Sequence, residues 1–295
     1  MRILVTGKNG QLGQSIKKIV NKKSDNFLNN CDFVFVGRNE LDLKSATSIN
    51  TFFDKNKFDI IINCAAYTKV DKAETDIDQA YLINHLAVKE IALIAQKNNM
   101  KLIHISTDFV FDGSKNQSYN ETDDASPVNI YGKSKLAGEL AIFSIMNSNA
   151  IILRTSWVYS EFGNNFVKNM LLLGSERDKI RVVNDQFGSP TYATDLAEAI
   201  LKIIHKQLMK EIVLKTQIYH FSNEGNISWF DFANEVFSLG NVNCKVTPIS
   251  SEQYKTSAKR PRNTLMSKLK IINSGISLCQ YRKSIEHCLK IINTQ

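Results

Sequence analysis

The first thirteen residues, MRILVTGKNGQLG (1–13), carry the strongest indication of the fold class. A short apolar run ends at Gly7, and around Gly10 and Gly13 apolar residues begin to recur at helical spacing. Strand, glycine turn and helix are the setting in which a dinucleotide pyrophosphate binds at a helix N-terminus. Gly7 would allow the tight turn, Gly10 the approach of backbone N–H groups, and Gly13 close packing of the helix on the strand. A plain glycine-rich turn is the alternative, because G-x-x-G-x-x-G is a variant of the usual spacing.

Downstream of this turn, apolar segments of strand length alternate with helical patterns. The predicted strands lie in the segments 1–7, 32–37, 59–74, 101–113 and 149–160. Such alternation is typical of βαβ units and of a parallel sheet covered by helices. We predict an α/β fold, with a Rossmann-like doubly wound parallel sheet over residues 1–155 and a smaller C-terminal α+β substrate-binding domain over residues 156–295. The sequence pattern changes gradually near residue 155, so the prediction leaves open whether later segments return to the main sheet.

The composition is that of a soluble globular protein. Hydrophobic residues make up 43% and charged residues 22% of the 295 residues, and no apolar run reaches the roughly 18 residues of a membrane span. The N-terminal apolar segment is too short for a signal peptide. The five cysteines are scattered without a C-x-x-C pair, which argues against a disulfide framework and a zinc site. We therefore predict a cytoplasmic protein with no membrane partner.

The chain is basic, with a formal net charge of +8 and a pI near 9.1. Its lysines are spread along the sequence, and no zinc-finger spacing or RNA-binding aromatic motif accompanies them. The charge is therefore interpreted as solvated surface, and we predict no nucleic-acid partner. Anionic small molecules also suit a basic cleft.

The ends of the predicted strands supply further candidate residues. The second strand ends in Gly37-Arg38-Asn39, without the acid that usually holds a ribose 2′-hydroxyl. Arg38 would instead accept a 2′-phosphate, which favours NADPH and leaves NADH possible; an ordinary surface arginine is the alternative. Ala65 and Ala66 leave space at the end of the third strand, where ligands of open α/β sheets bind.

The stretch YGKSK (131–135) is the candidate catalytic motif. Tyr131 and Lys135 share one face of a predicted helix, and an ammonium beside a phenol lowers the phenol pKa from about 10. The phenol could then exchange a proton with a reacting carbonyl. The pattern alone is weak, since it occurs by chance on amphipathic helices. Thr107 follows Ser106 at the end of the fourth strand, where it is placed to bind a substrate oxygen or to cap the next turn.

Several motifs in a fixed order carry a resemblance to a known family. They are the glycine turn, NCAAYTKVDKAE (63–74), STDFVFDG (106–113), YGKSK, RTSWVY (154–159) and NDQFGSPT (184–191). With them the chain resembles the extended short-chain dehydrogenases and, more narrowly, the dTDP-4-dehydrorhamnose reductases, over almost its whole length. The resemblance implies NAD(P)H-dependent reduction of the 4-keto group of a dTDP-4-keto-6-deoxy sugar to dTDP-L-rhamnose, for cell-surface polysaccharide synthesis.

The resemblance also implies roles for individual residues. Thr107 would hydrogen-bond the 4-keto oxygen, Tyr131 would protonate it, and Lys135 would lower the tyrosine pKa and hold the nicotinamide ribose. The implied cofactor contacts, together with those predicted above, are Gly7, Gly10, Gln11, Leu12, Gly13, Arg38, Asp42, Leu43, Ala65, Ala66, Tyr67, Thr68, Tyr131 and Lys135. The implied substrate contacts are Val70, Thr107, Asp108, Tyr131, Trp157, Asn164, Asn165 and Arg262.

The sequence departs from the family where some members bind magnesium between subunits. Ser15 and Thr194 occupy the places of two glutamates, and hard cations prefer carboxylate oxygens. We predict no metal, a monomer or weak homodimer, and for Asp195 only the role of a helix-start acid. The five histidines form no ligand spacing and are expected to be satisfied core or surface groups.

Two other functions stay open. One is a reductase or epimerase of another nucleotide-linked 4-keto-6-deoxy sugar, because the lid residues that choose the base and the stereochemistry have no motif. The other is a non-catalytic regulatory subunit of an S-adenosylmethionine synthetase, which loss of the tyrosine or the lysine would favour; both are present.

Overall fold

The computed structural model describes residues 1–22, 26–208 and 215–294. Within them, six parallel strands form the central sheet, in the order β10-β5-β4-β3-β1-β2. These strands are β1 (Arg2–Thr6), β2 (Asp32–Val36), β3 (Ile60–Asn63), β4 (Lys101–Thr107), β5 (Ala150–Thr155) and β10 (Gln217–Phe221). The predicted parallel α/β fold is confirmed.

Helices cover both faces of the sheet, because its strands are apolar on both sides. In β1, Ile3 and Val5 belong to the core on one face and Leu4 to the core on the other. The first face is covered by α1 (Gln11–Asn21), α2 (Asn26–Asn29), α9 (Ala193–Ile203) and α11 (Leu269–Asn273). The second is covered by α3 (Ala46–Lys55), α6 (Ala87–Lys97) and α7 (Ile130–Ile145).

A separate hydrophobic core lies in the C-terminal half of the chain, where Tyr159, Phe232 and Ile285 are fully buried. It is built from α8 (Phe166–Glu176), α10 (Trp229–Gly240), α12 (Tyr281–Ile292) and the strand pairs β7 (Lys179–Val183) with β12 (Lys245–Ile249), β6 (Val158–Tyr159) with β9 (Thr191–Tyr192), and β8 (Phe187–Gly188) with β11 (Ile227–Ser228).

The C-terminal half also contributes to the main sheet. Strand β10 pairs with β5, and α9 packs against α1 on the sheet face. Residues beyond 156 thus supply both lobes, and the division into two domains at residue 155 stays a prediction.

Short helical segments connect the larger elements. The helix predicted to begin at Tyr81 is continuous with shorter turns before it and contains a π-helical stretch (Leu82–Leu86). The short segments are α4 (Val70–Ala73), α5 (Ile77–Tyr81), the 3₁₀ turns Asp108–Val110 and Ser251–Gln253, and the π-helical Ile204–Leu208. In the described part of the chain, no helix combines the length and the apolar character that crossing a membrane requires.

The strand order reverses next to β1, which has β2 on one side and β3 on the other. The chain leaves β1 for β2 and then crosses to β3, so the connections diverge at the carboxyl ends of β1 and β3. In open α/β sheets, ligands bind in the crevice at such a switch point. The topology therefore favours a ligand site at the carboxyl edge of the sheet, where β1, β3 and β4 end in Thr6, Asn63 and Thr107.

Candidate functional site

A cleft of about 990 Å³ opens at this edge of the sheet and is lined by both lobes. The structure brings most of the predicted site residues into its lining. These are Gly7, Gly10, Gln11, Leu12, Gly13, Arg38, Asp42, Leu43, Ala65, Ala66, Thr68, Val70, Thr107, Asp108, Tyr131, Lys135, Trp157, Asn164 and Asn165. Tyr67 and Arg262 lie outside the lining.

The glycine turn forms a tight cradle before α1. Gly7 has a φ of +71°, which favours glycine, and its carbonyl accepts a hydrogen bond from the Gly10 N–H at 2.9 Å. A Cβ on Gly13 would lie 2.4 Å from the Gly7 oxygen, so only glycine lets α1 approach so closely. The first turn of α1 holds no acid, and its N–H groups have no partner within the helix. The cradle fits a pyrophosphate.

Glu40, which follows the end of β2, is engaged by two hydrogen bonds. Glu40 accepts hydrogen bonds from Lys8 Nζ at 2.5 Å and from the Gly37 N–H at 2.9 Å. The Lys8 hydrogen bond, followed by that of Gly37, holds the Glu40 pKa below its ordinary value. Arg38 lines the cleft here together with Asp42. A cation at this position suits a 2′-phosphate.

Tyr131 faces Thr107 because the start of α7 packs directly on the turn after β4. A Cβ on Gly132 would lie 2.1 Å from the Phe109 carbonyl oxygen. The helix begins with a side-chain cap, in which Asn129 Oδ1 accepts from the Gly132 N–H at 2.8 Å. The sequence predicted Tyr131 on a helix. Gly132, which follows it, explains how closely that helix approaches the turn after β4.

Burial dominates the ionisation of the Tyr131 phenol. It raises the Tyr131 pKa to about 12, against a lowering by the hydrogen bond with Thr107, and the charge of Asp108 raises it further. Asp108 is itself buried, and burial raises its pKa to about 6 although Thr264 and Thr107 hydrogen-bond to it. Thr107 Oγ1 donates to Asp108 Oδ1 at 3.0 Å and accepts from the Phe109 N–H at 3.2 Å.

The Lys135 amine is anchored to β4. Its Nζ donates to the Ile105 carbonyl at 2.6 Å and lies 3.3 Å from His104 Nε2. Burial lowers the Lys135 pKa to about 8, while the charges of Glu139 and Cys64 raise it. Because burial is the largest influence on the Tyr131 pKa and raises it, the lowering by an adjacent ammonium stays a prediction.

The opposite wall of the cleft is aromatic. Trp157 stacks on Trp229 with ring centroids 3.6 Å apart and planes 12° apart. Its backbone φ of +48° is unusual for a bulky residue, and a Cβ on Gly188 would lie 2.6 Å from its ring. Trp229 also lines the cleft. Sequence reasoning missed it, since no motif ties it to Trp157 more than seventy positions earlier.

Arg260, and not Arg262, is the arginine that lines the cleft. Arg260 Nη2 pairs with Asp71 Oδ2 at 2.7 Å, and Asp71 Oδ1 accepts from the Ala258 N–H at 3.1 Å. Arg262 is exposed outside the lining, and its carbonyl accepts from the Phe187 N–H at 2.8 Å. Both arginines belong to the segment KRPRN (259–263), in which sequence alone does not tell the inward from the outward side chain.

Two other predicted residues help to shape the cleft. The Tyr67 hydroxyl donates to Asp76 Oδ2 at 3.0 Å, and the Tyr67 N–H donates to Asn84 Oδ1 at 2.8 Å, which fix the loop after β3. Asn165 caps α8, and its Nδ2 donates to Gln11 Oε1 at 3.1 Å. The latter bond ties the C-terminal lobe to the start of α1.

Ser15 and Thr194 stand where the resemblance implies two metal-binding glutamates, and neither carries a carboxylate. Ser15 is fully buried, and Asp195 accepts from Asn223 Nδ2 at 2.6 Å and from Ser284 Oγ at 2.5 Å, which joins α9 to α12. Within residues 1–22, 26–208 and 215–294, no group of three or more His, Cys, Asp or Glu is arranged to hold a metal. That the protein uses no metal stays a prediction.

Both the sequence and the fold are similar to those of known proteins. Residues 1–294 match the family described as RmlD substrate binding domain. A dTDP-4-dehydrorhamnose reductase of Aggregatibacter actinomycetemcomitans is 40% identical over 294 residues, covering 97% of each chain. The structure of a dTDP-4-dehydrorhamnose reductase of Clostridium acetobutylicum has a TM-score of 0.91 at 36% identity, covering 99% of this chain and 100% of that one. That of Bacillus anthracis, in complex with NADP, has a TM-score of 0.89 at 38% identity, covering 98% and 99%.

Proposed function

The chain belongs to the family described as RmlD substrate binding domain, among the dTDP-4-dehydrorhamnose reductases, and on this premise we propose that it reduces a sugar nucleotide with NADPH. The reaction is reduction of the 4-keto group of dTDP-4-dehydro-6-deoxy-L-mannose to dTDP-L-rhamnose. The reaction would take place in the cytoplasm. Its product would serve the synthesis of cell-surface polysaccharide.

One observation carries the proposal. Thr107, Tyr131 and Lys135 line the same cleft as the glycine cradle of residues 7–13. A dinucleotide with its pyrophosphate on the cradle can extend along the carboxyl edge of the sheet towards Tyr131. A dinucleotide-dependent reductase needs a proton donor and a phosphate cradle in one cleft, and this cleft is lined by both.

Residues of the N-terminal lobe would bind the cofactor. The first turn of α1 would hold the pyrophosphate, Arg38 the 2′-phosphate, and Asp42 with Leu43 the adenosine. When bound, NADPH supplies a hydride. Ala65 and Ala66 line the cleft, and their small side chains would leave room for it.

Tyr131 would supply the proton. Because burial holds its pKa at about 12, the phenol is protonated at working pH and can act as an acid towards the keto oxygen. Thr107 lies beside it and would turn its hydroxyl from Asp108 to the same oxygen. Proton transfer from Tyr131 and polarisation by Thr107 would then meet at one atom of the substrate.

The C-terminal lobe would bind the rest of the substrate. Trp157, stacked on Trp229, would pack against the nucleotide as part of an aromatic wall, and Arg260 would offer a guanidinium to the diphosphate. Asp71 holds Arg260 in place through the 2.7 Å ion pair. The basic side chains of Arg38, Lys44 and Arg260 line the cleft and would suit two polyanionic ligands.

The test is NADPH oxidation by the purified protein. We expect oxidation with dTDP-4-dehydro-6-deoxy-L-mannose and formation of dTDP-L-rhamnose. Tyr131→Phe should abolish turnover with NADPH affinity nearly unchanged, because the phenyl ring keeps the packing and loses only the proton. Turnover of UDP- or CDP-linked analogues in its place would establish another sugar nucleotide as the substrate, and full activity of Tyr131→Phe would overturn the mechanism.

A further inference from the structure

The side chain of Gln11 reaches out of the lobe to which its main chain belongs. Gln11 is the first residue of α1, so its main-chain N–H is one of the groups at the glycine cradle that have no partner within the helix. Its side chain forms hydrogen bonds with the chain between Trp157 and α8. One residue therefore contacts both sides of the cleft.

Main-chain groups fix the orientation of the Gln11 amide. The Val158 carbonyl can only accept, so it receives a hydrogen bond from Gln11 Nε2, at 3.2 Å. Gln11 Oε1 is left to accept, from Ser160 Oγ at 2.9 Å and from Asn165 Nδ2 at 3.1 Å. Asn165 is oriented in the same way, because its Oδ1 accepts from the Lys168 N–H at 3.2 Å. Each end of the Gln11 amide thus has the partner that its chemistry requires.

The chain that Gln11 holds begins directly after a strained residue. Trp157 has a φ of +48°, a conformation that a bulky residue keeps only when the surrounding structure holds it there. The Trp157 carbonyl accepts from the Thr191 N–H at 3.2 Å, and the next carbonyl, that of Val158, accepts from Gln11. Hydrogen bonds on two consecutive carbonyls therefore fix the backbone that carries the Trp157 ring. Removal of the Gln11 amide would leave only the first of them.

A second contact joins the two lobes without Gln11. Lys18 lies about two turns further along α1, and its Nζ pairs with Glu161 Oε1 at 2.5 Å. Glu161 is buried and also accepts from the Tyr192 hydroxyl at 3.0 Å. Loss of the Gln11 amide should therefore leave the lobes in contact and change the position of Trp157 and the residues directly after it.

We propose that Gln11 is a positioning residue for the sugar nucleotide, although it belongs to the glycine motif of the cofactor side. Its main-chain N–H serves the cofactor, and its side chain holds Trp157 in the wall of the cleft that faces the sugar nucleotide. The assignment of the two ligands to the two sides rests on the proposed function, whereas the hold on Trp157 rests on the contacts of Gln11 alone.

Steady-state kinetics separate the two roles of Gln11. Gln11→Ala keeps the main-chain N–H and a residue of high helix propensity. We expect the KM for the sugar nucleotide to rise by about five- to tenfold, the effect of about one lost hydrogen bond. The kcat and the KM for NADPH should stay within about twofold of the parent values. An unchanged KM for the sugar nucleotide, or an equal rise in the KM for NADPH, would overturn the proposal.

Two further substitutions serve as controls. Gln14 lies on the same helix, and its Nε2 donates to the Asn9 carbonyl at 2.9 Å, within the N-terminal lobe. Gln14→Ala should leave the KM for the sugar nucleotide unchanged, and a rise equal to that in Gln11→Ala would count against the proposal. Ser160→Ala removes a donor to Gln11 from a fully buried residue outside the cleft lining. It should raise the same KM in the parent protein and add little in Gln11→Ala, whereas full additivity would contradict the proposed contact.

A measurement without any ligand tests the hold on Trp157 directly. The indole N–H signal of Trp157 in a ¹H–¹⁵N spectrum is assigned by its loss in Trp157→Phe. We expect this signal to shift or broaden in Gln11→Ala and to keep its position in Gln14→Ala. An unchanged signal in Gln11→Ala would overturn the proposal. Because this measurement needs no substrate, failure of the proposed function and failure of the inference about Gln11 are distinguishable.

Discussion

The two walls of the cleft are made in different ways. On the cofactor side, residues 7–13 form the wall with their main chain, and a Cβ on Gly13 would lie 2.4 Å from the Gly7 oxygen. On the substrate side, Trp157, Trp229 and Arg260 form the wall with side chains that come from segments far apart in sequence. Adding a side-chain atom should therefore disrupt the first wall, whereas the second should lose its ligand contacts when side-chain atoms are removed.

The largest effect is expected from adding atoms to the main-chain wall. Gly13→Val should separate α1 from β1, lower the free energy of unfolding by about 3 kcal/mol and abolish NADPH binding. Urea unfolding and NADPH titration measure the two quantities. Gly10→Ala is the matched control, because its Cβ would meet the Gly7 oxygen at 3.3 Å and should affect stability far less. Equal stability of both variants with the parent protein would refute the main-chain description.

Removing atoms from the aromatic wall should weaken substrate binding alone. Trp157→Ala breaks up the stacked pair of indoles that lines the cleft. An aromatic contact to a nucleic-acid base is worth about 1–3 kcal/mol, so the KM for the sugar nucleotide should rise by about 10- to 100-fold. The affinity for NADPH should be unchanged. Steady-state kinetics with either ligand varied give both values. If the KM for NADPH rose as much as the KM for the sugar, the two walls would not be independent.

A smaller effect of the same kind is expected at Arg260. Arg260→Ala removes a charge-assisted contact worth about 1.5–3 kcal/mol and should raise the KM for the sugar nucleotide by about tenfold or somewhat more. Arg262→Ala is the control from the same segment and should change little, because Arg262 is exposed outside the cleft. The reverse ranking would restore Arg262 as the substrate ligand that the family resemblance implies.

The smallest effect is expected at Arg38, an exposed side chain on the cofactor side of the cleft. Arg38 is exposed, and exposed ion pairs contribute about 1 kcal/mol or less. Arg38→Ala should therefore lower the affinity for NADPH by about fivefold and leave that for NADH unchanged. Lys44→Ala, also at the cleft, is the control. An equal loss for both cofactors would show that Arg38 does not distinguish the 2′-phosphate.

The same contrast explains what could be predicted from the sequence. Gly7 and Gly13 have a local signature, because a tight turn and close helix packing each require glycine at a fixed spacing. Tyr131 and Thr107 were also predicted, since each ends or begins an element at the carboxyl edge of the sheet. The parallel sheet followed from the alternation of strand and helix patterns, and the return of β10 to that sheet was left open because nothing local decides it.

The rest of the site depends on distant packing. Trp229 and Arg260 reach the cleft only through the core of the C-terminal lobe and the Asp71 ion pair. The contact of Lys135 with His104 depends on how α7 packs against β4, which no local sequence pattern reports. The Tyr131 pKa was expected to fall because an ammonium lies four residues away, but burial, which the sequence does not report, is the larger effect.

The stacked pair of indoles gives the protein an internal optical reporter. The chain contains two tryptophans, and both lie in the substrate wall, 3.6 Å apart. The tryptophan fluorescence of the protein and the tryptophan part of its near-ultraviolet circular dichroism therefore both report on this wall of the cleft. A sugar nucleotide that settles on Trp157 should quench that emission and alter the coupling of the two rings. Binding could thus be followed without a label, even in a Tyr131→Phe protein that turns nothing over.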